Sequence, residues 1–267
     1  MNPSFPLTAA DARADEARMR ASPLELSRPV VVLAGWADPF FANTYWTGLL
    51  RRQGVPAEQM LGLSFWDCWG FESCREKVVE SVEARWPSGD GEWTTEVDVV
   101  AFSMGGLVAR YAAAAPWDRG KGGAGPEKLG ETASTKGGAG EGKRLRIRRL
   151  FTISTPHRGA KLAWVPTLDG RVRDMRPGSA LLGYLDGALA EAEYELTVYA
   201  RLGDGIVGTE NTSPAGVTPW WVAVRWDFRS HQEAYRDPRI RADILRRLRG
   251  EVPWTQGPAV GWEEAGF

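Results

Sequence analysis

The segment VDVVAFSMGGLVARYAAAA, from Val97 to Ala115, carries the strongest signal of the fold. Its first four residues are mostly valine, and a short β-branched apolar run of this kind is typical of a buried strand. From Gly106 onward the residues are mostly Ala, Leu and Val without a helix breaker, which predicts a helix. Ser103 lies between the two segments. The sequence therefore predicts a strand, a tight turn at the serine, and a helix.

This turn has small residues where a nucleophile elbow needs them. Ala101 stands two positions before Ser103 and Gly105 two positions after it, so the backbone on both sides can approach neighbouring elements. An elbow pushes the serine Oγ out of the sheet at a helix N-terminus, where the helix dipole favours developing negative charge. The pattern indicates a nucleophilic serine. The alternative interpretation is a serine that only caps a helix.

Strand-like segments alternate with helical segments along the whole chain, which is typical of a mostly parallel sheet covered by helices. The predicted strands are Val30–Leu33, Leu61–Phe65, Val97–Phe102, Arg148–Ser154, Leu196–Arg201 and Trp221–Trp226. The predicted helices are Asn43–Gln53, Ser73–Trp86, Gly106–Ala115 and Pro238–Arg249. We expect an α/β fold with a sheet of about six strands.

The 267 residues suit one main domain. We expect residues 1–29 to be an N-terminal extension and residues 30–267 to form the α/β domain. Residues 116–144 lose periodicity and repeat the sequence KGGAG, which predicts a flexible low-complexity loop. Residues 158–195 form a longer excursion between two strands, and we expect a small helical cap or lid there, over the catalytic crevice.

Composition and charge exclude several classes of protein. The chain has 33 basic and 34 acidic residues and a net charge of −1, which argues against a nucleic-acid partner. No apolar run reaches the roughly 18 residues of a transmembrane helix. Residues 1–29 lack the apolar core of a signal peptide, so we expect a cytoplasmic protein and leave secretion open. Cys68 and Cys74 are either free thiols or one local bridge. Nothing in the sequence indicates an oligomeric state.

The chain contains two histidines, His157 and His231, that could serve Ser103 as a general base. Each follows a predicted strand, and catalytic groups of open α/β sheets collect at the carboxyl ends of strands. Asp204 lies in a Gly-Asp-Gly loop after a predicted strand and is the candidate acid. The order Ser103, Asp204, His231 is that of α/β-hydrolases, and His157 would break it. We predict that triad; a surface histidine and a plain turn aspartate are the alternatives.

Four pieces of the chain carry a resemblance to the α/β-hydrolase superfamily, and within it to bacterial class 2 lipases and GPI-inositol-deacylase-like esterases. The pieces are VVVLAGWAD at Val30–Asp38, the AFSMGGLVARY elbow, STPHRG at Ser154–Gly159 followed by MRPGSALLGYL at Met175–Leu185, and LGDGIVG at Leu202–Gly208. Together with His231 they span most of residues 30–235. The resemblance implies an α/β-hydrolase fold.

The resemblance also implies roles for further residues. It assigns the oxyanion hole to the backbone N–H groups of Trp36 and Met104. This chain has Ala34 before Gly35, where the family has a histidine, but backbone donors do not depend on that side chain. His157, in the Thr-Pro-His segment, is implied to be a structural residue near the site and not the base.

We therefore predict a lipase or esterase that hydrolyses a small-molecule or lipid acyl ester through an acyl-enzyme. An acyltransferase or a thioesterase with the same triad is an alternative, and so is a non-catalytic binding module with this fold. No cofactor and no metal are expected, because two histidines without clustered cysteines do not suit zinc. Calcium, which needs only carboxylate and carbonyl oxygens, is left open. Four tryptophans in predicted loops suggest an aromatic-lined cavity; they are Trp36, Trp66, Trp69 and Trp164.

Overall fold

The computed structural model describes residues 1–117, 142–224 and 229–264. The strands are β1 (Val30–Leu33), β2 (Met60–Leu63), β3 (Val97–Phe102), β4 (Ile147–Ile153), β5 (Glu195–Arg201) and β6 (Trp220–Val222). The α-helices are α1 (Ala9–Arg20), α2 (Phe41–Arg52), α3 (Phe71–Arg85), α4 (Met104–Ala113), α5 (Gly170–Asp174), α6 (Ala180–Leu189), α7 (Ser230–Glu233) and α8 (Pro238–Arg249). Short 3₁₀ helices lie at Ala57–Gln59, Lys161–Trp164, Thr209–Asn211 and Ala234–Arg236.

Within these ranges the strands form one parallel sheet in the order β2-β1-β3-β4-β5-β6. In the centre of the sheet, Val31 of β1 pairs with Leu61 of β2 and with Val99 of β3. Every residue of β1 and β3 is buried, as expected for parallel strands with helices on both faces. The predicted parallel α/β architecture is thus confirmed. Because the strands are parallel, their carboxyl ends meet at one edge of the sheet.

Alternate residues of each central strand face opposite layers of the core. Val31 and Leu33 pack in the layer that contains α3, α4 and α6, whereas Val30 and Val32 pack in the layer that contains α1, α2 and α8. This alternation explains why β1 reads as an unbroken apolar run. In the described part of the chain, no helix is both long enough and apolar enough to cross a bilayer.

The predicted helices coincide with α2, α3, α4 and α8, and only α8 has the predicted bounds. It has explicit signals at both ends, with the Asp237 side chain as N-cap, Pro238 in the first turn and Gly250 in the left-handed conformation after the last turn. The other three helices begin two residues earlier than predicted. In α2, the Asp38 carboxylate, three residues before the helix, accepts hydrogen bonds from the N–H groups of Phe41 and Ala42 and so caps the first turn.

Residues 1–29 contain a helix that the sequence did not predict. Helix α1 lacks a continuous apolar stripe, and it packs against α8 with the help of two buried carboxylates. Asp15 binds Arg246, and Glu16 binds Arg241 at 2.8 Å. Because these partners lie more than 200 residues away in sequence, no local pattern reveals them.

The excursion at residues 158–195 divides into two parts. Its first part, with the 3₁₀ helix Lys161–Trp164 and α5, lies beside Ser103, whereas α6 packs into the core against α4. That the first part acts as a cap stays a prediction. The predicted flexible loop at 116–144 falls largely outside the described residues, as does the end of the predicted strand Trp221–Trp226. Cys68 and Cys74 are buried free thiols.

Candidate active site

Ser103 occupies a strained turn between β3 and α4. Its φ of 52° and ψ of −128° lie where residues other than glycine are uncommon, and such strain is typical of a nucleophile elbow. The neighbouring glycines permit the close packing that the turn needs. A Cβ on Gly105 would lie 2.6 Å from the carbonyl oxygen of Ala34, and one on Gly106 would lie 2.2 Å from Oγ1 of Thr155. Because Gly105 and Gly106 have no side chain, α4 can begin in direct contact with the end of β1 and with the loop after β4.

The structure brings Ser103, His231 and Asp204 together from three separate elements. Ser103 Oγ lies 3.0 Å from His231 Nε2, and His231 Nδ1 lies 2.7 Å from Asp204 Oδ2. Ser103 follows β3, Asp204 follows β5, and His231 lies in α7. The strands β3 and β5 flank β4 in the sheet, so Ser103 and Asp204 lie at the same carboxyl edge, and α7 brings the imidazole between them. The three side chains form one continuous hydrogen-bonded chain.

Asp204 is held as a buried carboxylate that points at the imidazole. Its other oxygen, Oδ1, accepts from the backbone N–H groups of Ile206 and Val207 at 3.0 and 2.9 Å. Burial works to raise the pKa of Asp204, but the hydrogen bond and charge of His231 and the two N–H donors outweigh it, so the pKa lies below its ordinary value. Asp204 therefore stays ionised at neutral pH and accepts a hydrogen bond from Nδ1 of His231.

The imidazole of His231 is positioned by neighbours on both sides. The ring centroid of Phe102, the residue before Ser103, lies 4.9 Å from the centroid of the imidazole. Ser230 Oγ donates to the carbonyl oxygen of Leu202 at 2.7 Å, which ties α7 to the loop that carries Asp204. Ser103 and His231 are each less than one-tenth exposed. These contacts fix the direction of Nε2 toward Ser103.

His157, the other histidine, lies in a different hydrogen-bond network. It is fully buried; its Nδ1 accepts from Arg110 at 2.8 Å, and its Nε2 lies 3.1 Å from Thr152 Oγ1. Because Arg110 can only donate, Nδ1 carries no proton and Nε2–H faces Thr152. Burial, aided by the positive charge of Arg110, lowers the pKa of His157 well below its ordinary value. Both ring nitrogens are thus engaged away from Ser103.

The two residues predicted to supply the oxyanion hole belong to segments that adjoin Ser103. Met104 is the first residue of α4, so its N–H is among the donors that a helix start leaves without an intrahelical partner. Trp36 follows Gly35, where a Cβ would lie 3.0 Å from the Cβ of Ser103. The Trp36 indole reaches across to Asp169, to which its Nε1 donates at 2.8 Å.

A cavity of about 680 Å³ opens beside Ser103 and His231. Most of its wall is apolar, with residues from the loop after β1, from the excursion after β4 and from the loop after β5. The apolar lining includes Trp36, Phe41, Phe102, Leu162, Ala163, Val165, Val172, Met175, Ile206 and Val207. Of the four tryptophans that suggested an aromatic cavity, Trp36 lines it, whereas Trp66, Trp69 and Trp164 are exposed and do not.

The fold resembles solved structures of two hydrolases. Phospholipase PlaB from Legionella pneumophila, in complex with thio-NAD, matches with a TM-score of 0.53 at 14% sequence identity, over 85% of this chain and 59% of that one. A candidate cell surface hydrolase from Lactobacillus plantarum matches with a TM-score of 0.44 at 12% identity, over 85% of this chain and 94% of that one. The chain has an α/β-hydrolase fold. It spans about three fifths of the length of PlaB.

No protein-family model matches the chain, and no curated protein matches its sequence. The resemblance to class 2 lipases and GPI-inositol-deacylase-like esterases therefore stays a prediction. The shared fold says nothing about the substrate, because one fold hosts many activities.

Several residues at the site escaped the sequence reading. Phe102, Tyr235 and Asp38 line the cavity, and Asp169 holds Trp36 from the far side of the crevice. The position of Phe102 directly before the elbow serine was the available signal. The link between Trp36 and Asp169 joins residues 133 positions apart, and nothing local marks it.

Proposed function

We propose that the protein is a serine hydrolase that cleaves carboxylic acyl esters with Ser103 as nucleophile, His231 as general base and Asp204 as the group that orients the base. The observation that carries the proposal is the continuous chain from Ser103 Oγ through His231 to Asp204, beside an apolar cavity. A nucleophile, a base and an orienting acid within hydrogen-bond distance are what acyl transfer to a serine needs.

In the first half of the reaction, Ser103 Oγ attacks the ester carbonyl carbon as His231 Nε2 takes the hydroxyl proton. The C–O bond to the alcohol then breaks, and His231 returns its proton to the leaving alkoxide. In the second half, water attacks the acyl-enzyme with the same base, which releases the acid and restores the serine. Asp204 stabilises the imidazolium in both halves, because it remains ionised and bonded to Nδ1.

The backbone N–H groups of Met104 and Trp36 would bind the oxyanion of each tetrahedral intermediate. The N–H of Met104 lies at the positive end of the α4 dipole, directly after the nucleophile, and Gly35 brings the Trp36 segment against Ser103. One such donor contributes about 3 kcal/mol of transition-state stabilisation in serine hydrolases.

The lining of the cavity favours a substrate with an apolar acyl group, which would bind inside the cavity. Its wall consists largely of aliphatic and aromatic side chains, and its volume is in the range of small-molecule sites, roughly 300–1,000 Å³. Each CH₂ group that enters such a cavity contributes about 0.8 kcal/mol. We expect kcat/KM for p-nitrophenyl esters to rise from acetate to longer acyl chains, and equal values along the series would contradict a lipid-like acyl group.

The test of the chemistry compares the wild type with Ser103→Ala, and with Ser22→Ala as the matched control, since Ser22 is exposed after α1. Hydrolysis of p-nitrophenyl butyrate is expected to fall by about 10³-fold or more in Ser103→Ala and to stay unchanged in the control. A fluorophosphonate probe should add to Ser103 in the wild type. Retained hydrolysis in Ser103→Ala would refute the nucleophile, and an unlabelled, inactive wild type would favour a non-catalytic binding module.

A further inference from the structure

Large apolar side chains are exposed on the segments that follow β1, β2 and β4, and two of these segments line the cavity. We call this set the apolar rim; its members are Trp36, Phe41, Trp66, Trp69, Trp164 and Leu168. Trp69 is 89% exposed and Leu168 is 98% exposed, so these side chains contribute almost nothing to the core. Exposed patches of this kind mark interaction sites when they are contiguous.

The rim belongs to three segments that the fold holds next to one another. Residues 36–41 follow β1, residues 64–70 follow β2, and residues 161–169 follow β4, so all three lie at the carboxyl edge of the sheet. Trp36 Nε1 donates to Asp169, and Arg171 donates to the carbonyl oxygen of Phe65. The link through Asp169 and Arg171, which bind each other at 2.8 Å, therefore joins all three segments.

The rim is continuous with the cavity. Trp36 and Phe41 are both exposed and part of the cavity wall, and Leu168 directly follows the wall residue Thr167. Trp66 and Trp69 lie on the segment that is joined to the excursion after β4 through the carbonyl oxygen of Phe65. A surface on which this rim rested would thus lie across the opening that leads to Ser103.

The exposed charges in the three segments are each paired with an opposite charge. Asp67 binds Lys77 at 2.6 Å, and Lys161 binds Glu210 at 2.8 Å. Asp169 is paired with Arg171, as described above, and the carboxylate of Asp38 accepts from the first N–H groups of α2. Asp38 is buried, and every exposed charge of the three segments has an oppositely charged partner. The rim therefore presents apolar and indole groups with no unpaired charge, which suits an uncharged or zwitterionic surface and not a polyanion.

We propose that the apolar rim docks the protein on the surface of a zwitterionic lipid layer, with the cavity mouth against the lipid. Tryptophan is the side chain that favours the interface between headgroups and acyl chains, because its ring is apolar and its N–H is polar. Leu168, which is 98% exposed, would insert into the acyl region. As a statement about the source of the substrate, this docking rests on the proposed function; as a binding property it does not.

The test measures co-sedimentation with phosphatidylcholine vesicles, using Ser103→Ala protein so that lipid is not consumed. The variant Trp66→Ser/Trp69→Ser/Leu168→Ser removes exposed rim side chains that do not line the cavity. Val252→Ser is the control. Val252 is exposed after α8, near the amino ends of the strands, where Arg149 donates to the carbonyl oxygen of Arg247.

The parent protein should bind the vesicles to a similar extent with and without phosphatidylglycerol, and added salt should not release it. The affinity of the triple variant for the vesicles should be lower than that of the parent by about tenfold or more, and the affinity of Val252→Ser should equal that of the parent. In the otherwise wild-type chain, the triple variant should retain full hydrolysis of soluble p-nitrophenyl butyrate.

Three outcomes would overturn the docking proposal. They are vesicle binding that is absent or unaffected by the triple variant, binding that requires phosphatidylglycerol and disappears with salt, and a rim-dependent dimer in sedimentation velocity without vesicle binding. The failure of the proposed function would look different, because vesicle binding would persist while the wild type hydrolysed no ester.

Discussion

Replacing Gly105 with alanine tests whether the elbow depends on the contact between α4 and β1. A Cβ at this position would lie 2.6 Å from the carbonyl oxygen of Ala34 and 2.8 Å from that of Leu33. Both atoms belong to the backbone at the end of β1, so no side chain can rotate away. To reach ordinary van der Waals contact, the start of α4 would have to move by about 0.8 Å, a shift that a close-packed core resists.

That movement has two measurable consequences. Overpacking of this size costs about 2 kcal/mol in the free energy of unfolding, which lowers Tm by about 4 °C in a chain of this length. Ser103, the proposed nucleophile, would move with the helix, and its hydrogen bond to His231 Nε2, 3.0 Å long, would lengthen. Misplacement of a reacting atom by nearly 1 Å costs about 10²-fold in kcat.

The matched control is Gly183→Ala in α6. A Cβ there meets nothing within 4 Å, and alanine favours a helix over glycine by about 1 kcal/mol. Differential scanning calorimetry and p-nitrophenyl butyrate hydrolysis on both variants check the prediction. Gly105→Ala should lose stability and activity, and Gly183→Ala should keep both. Wild-type Tm and rate in Gly105→Ala, or equal losses in the two variants, would show that the close approach does not matter.

Three further predictions concern ionisable groups. Asp204→Asn keeps the shape of the side chain but removes the carboxylate, so ester hydrolysis should fall by about 10³- to 10⁴-fold; an unchanged rate would rule out the orienting role. Burial, and after it the charge of Arg110, lowers the pKa of His157, so the unfolded state binds the extra proton and the free energy of unfolding should fall as the pH drops below about 6.5. Urea unfolding from about pH 7.5 to about pH 5.5 should show this slope in the wild type and less of it in His157→Gln, and equal slopes would contradict it. Burial of Asp15 is outweighed by hydrogen bonds from Arg246 and other donors, so its pKa is lowered to about 2; Asp15→Asn should cost about 1–2 kcal/mol of unfolding free energy above pH 4, and urea unfolding should find the difference gone near pH 2.

The elements that the sequence predicts best are those whose signals are local. Helix α8 has the predicted bounds because Asp237 and Pro238 begin it and Gly250 ends it. The central strands follow from unbroken valine runs, since a parallel strand buried on both faces needs an apolar residue at every position. Strand β6, with three residues, and α1, without an apolar stripe, carry weaker local signals.

The candidate site shows the same division. The elbow at Ser103 and the Gly-Asp-Gly loop at Asp204 can be read from the sequence, because they depend on residue types within a few positions. The order of Ser103, Asp204 and His231 along the chain is also visible there, and it favours His231 because it is the order of α/β-hydrolases. The packing of helices on the sheet is what places the imidazole of His231 3.0 Å from the serine and turns His157 toward Arg110. The tertiary structure also brings Trp36 to Asp169. Such contacts join residues far apart in the chain, and their distances depend on how the helices pack on the sheet, which no short stretch of sequence encodes.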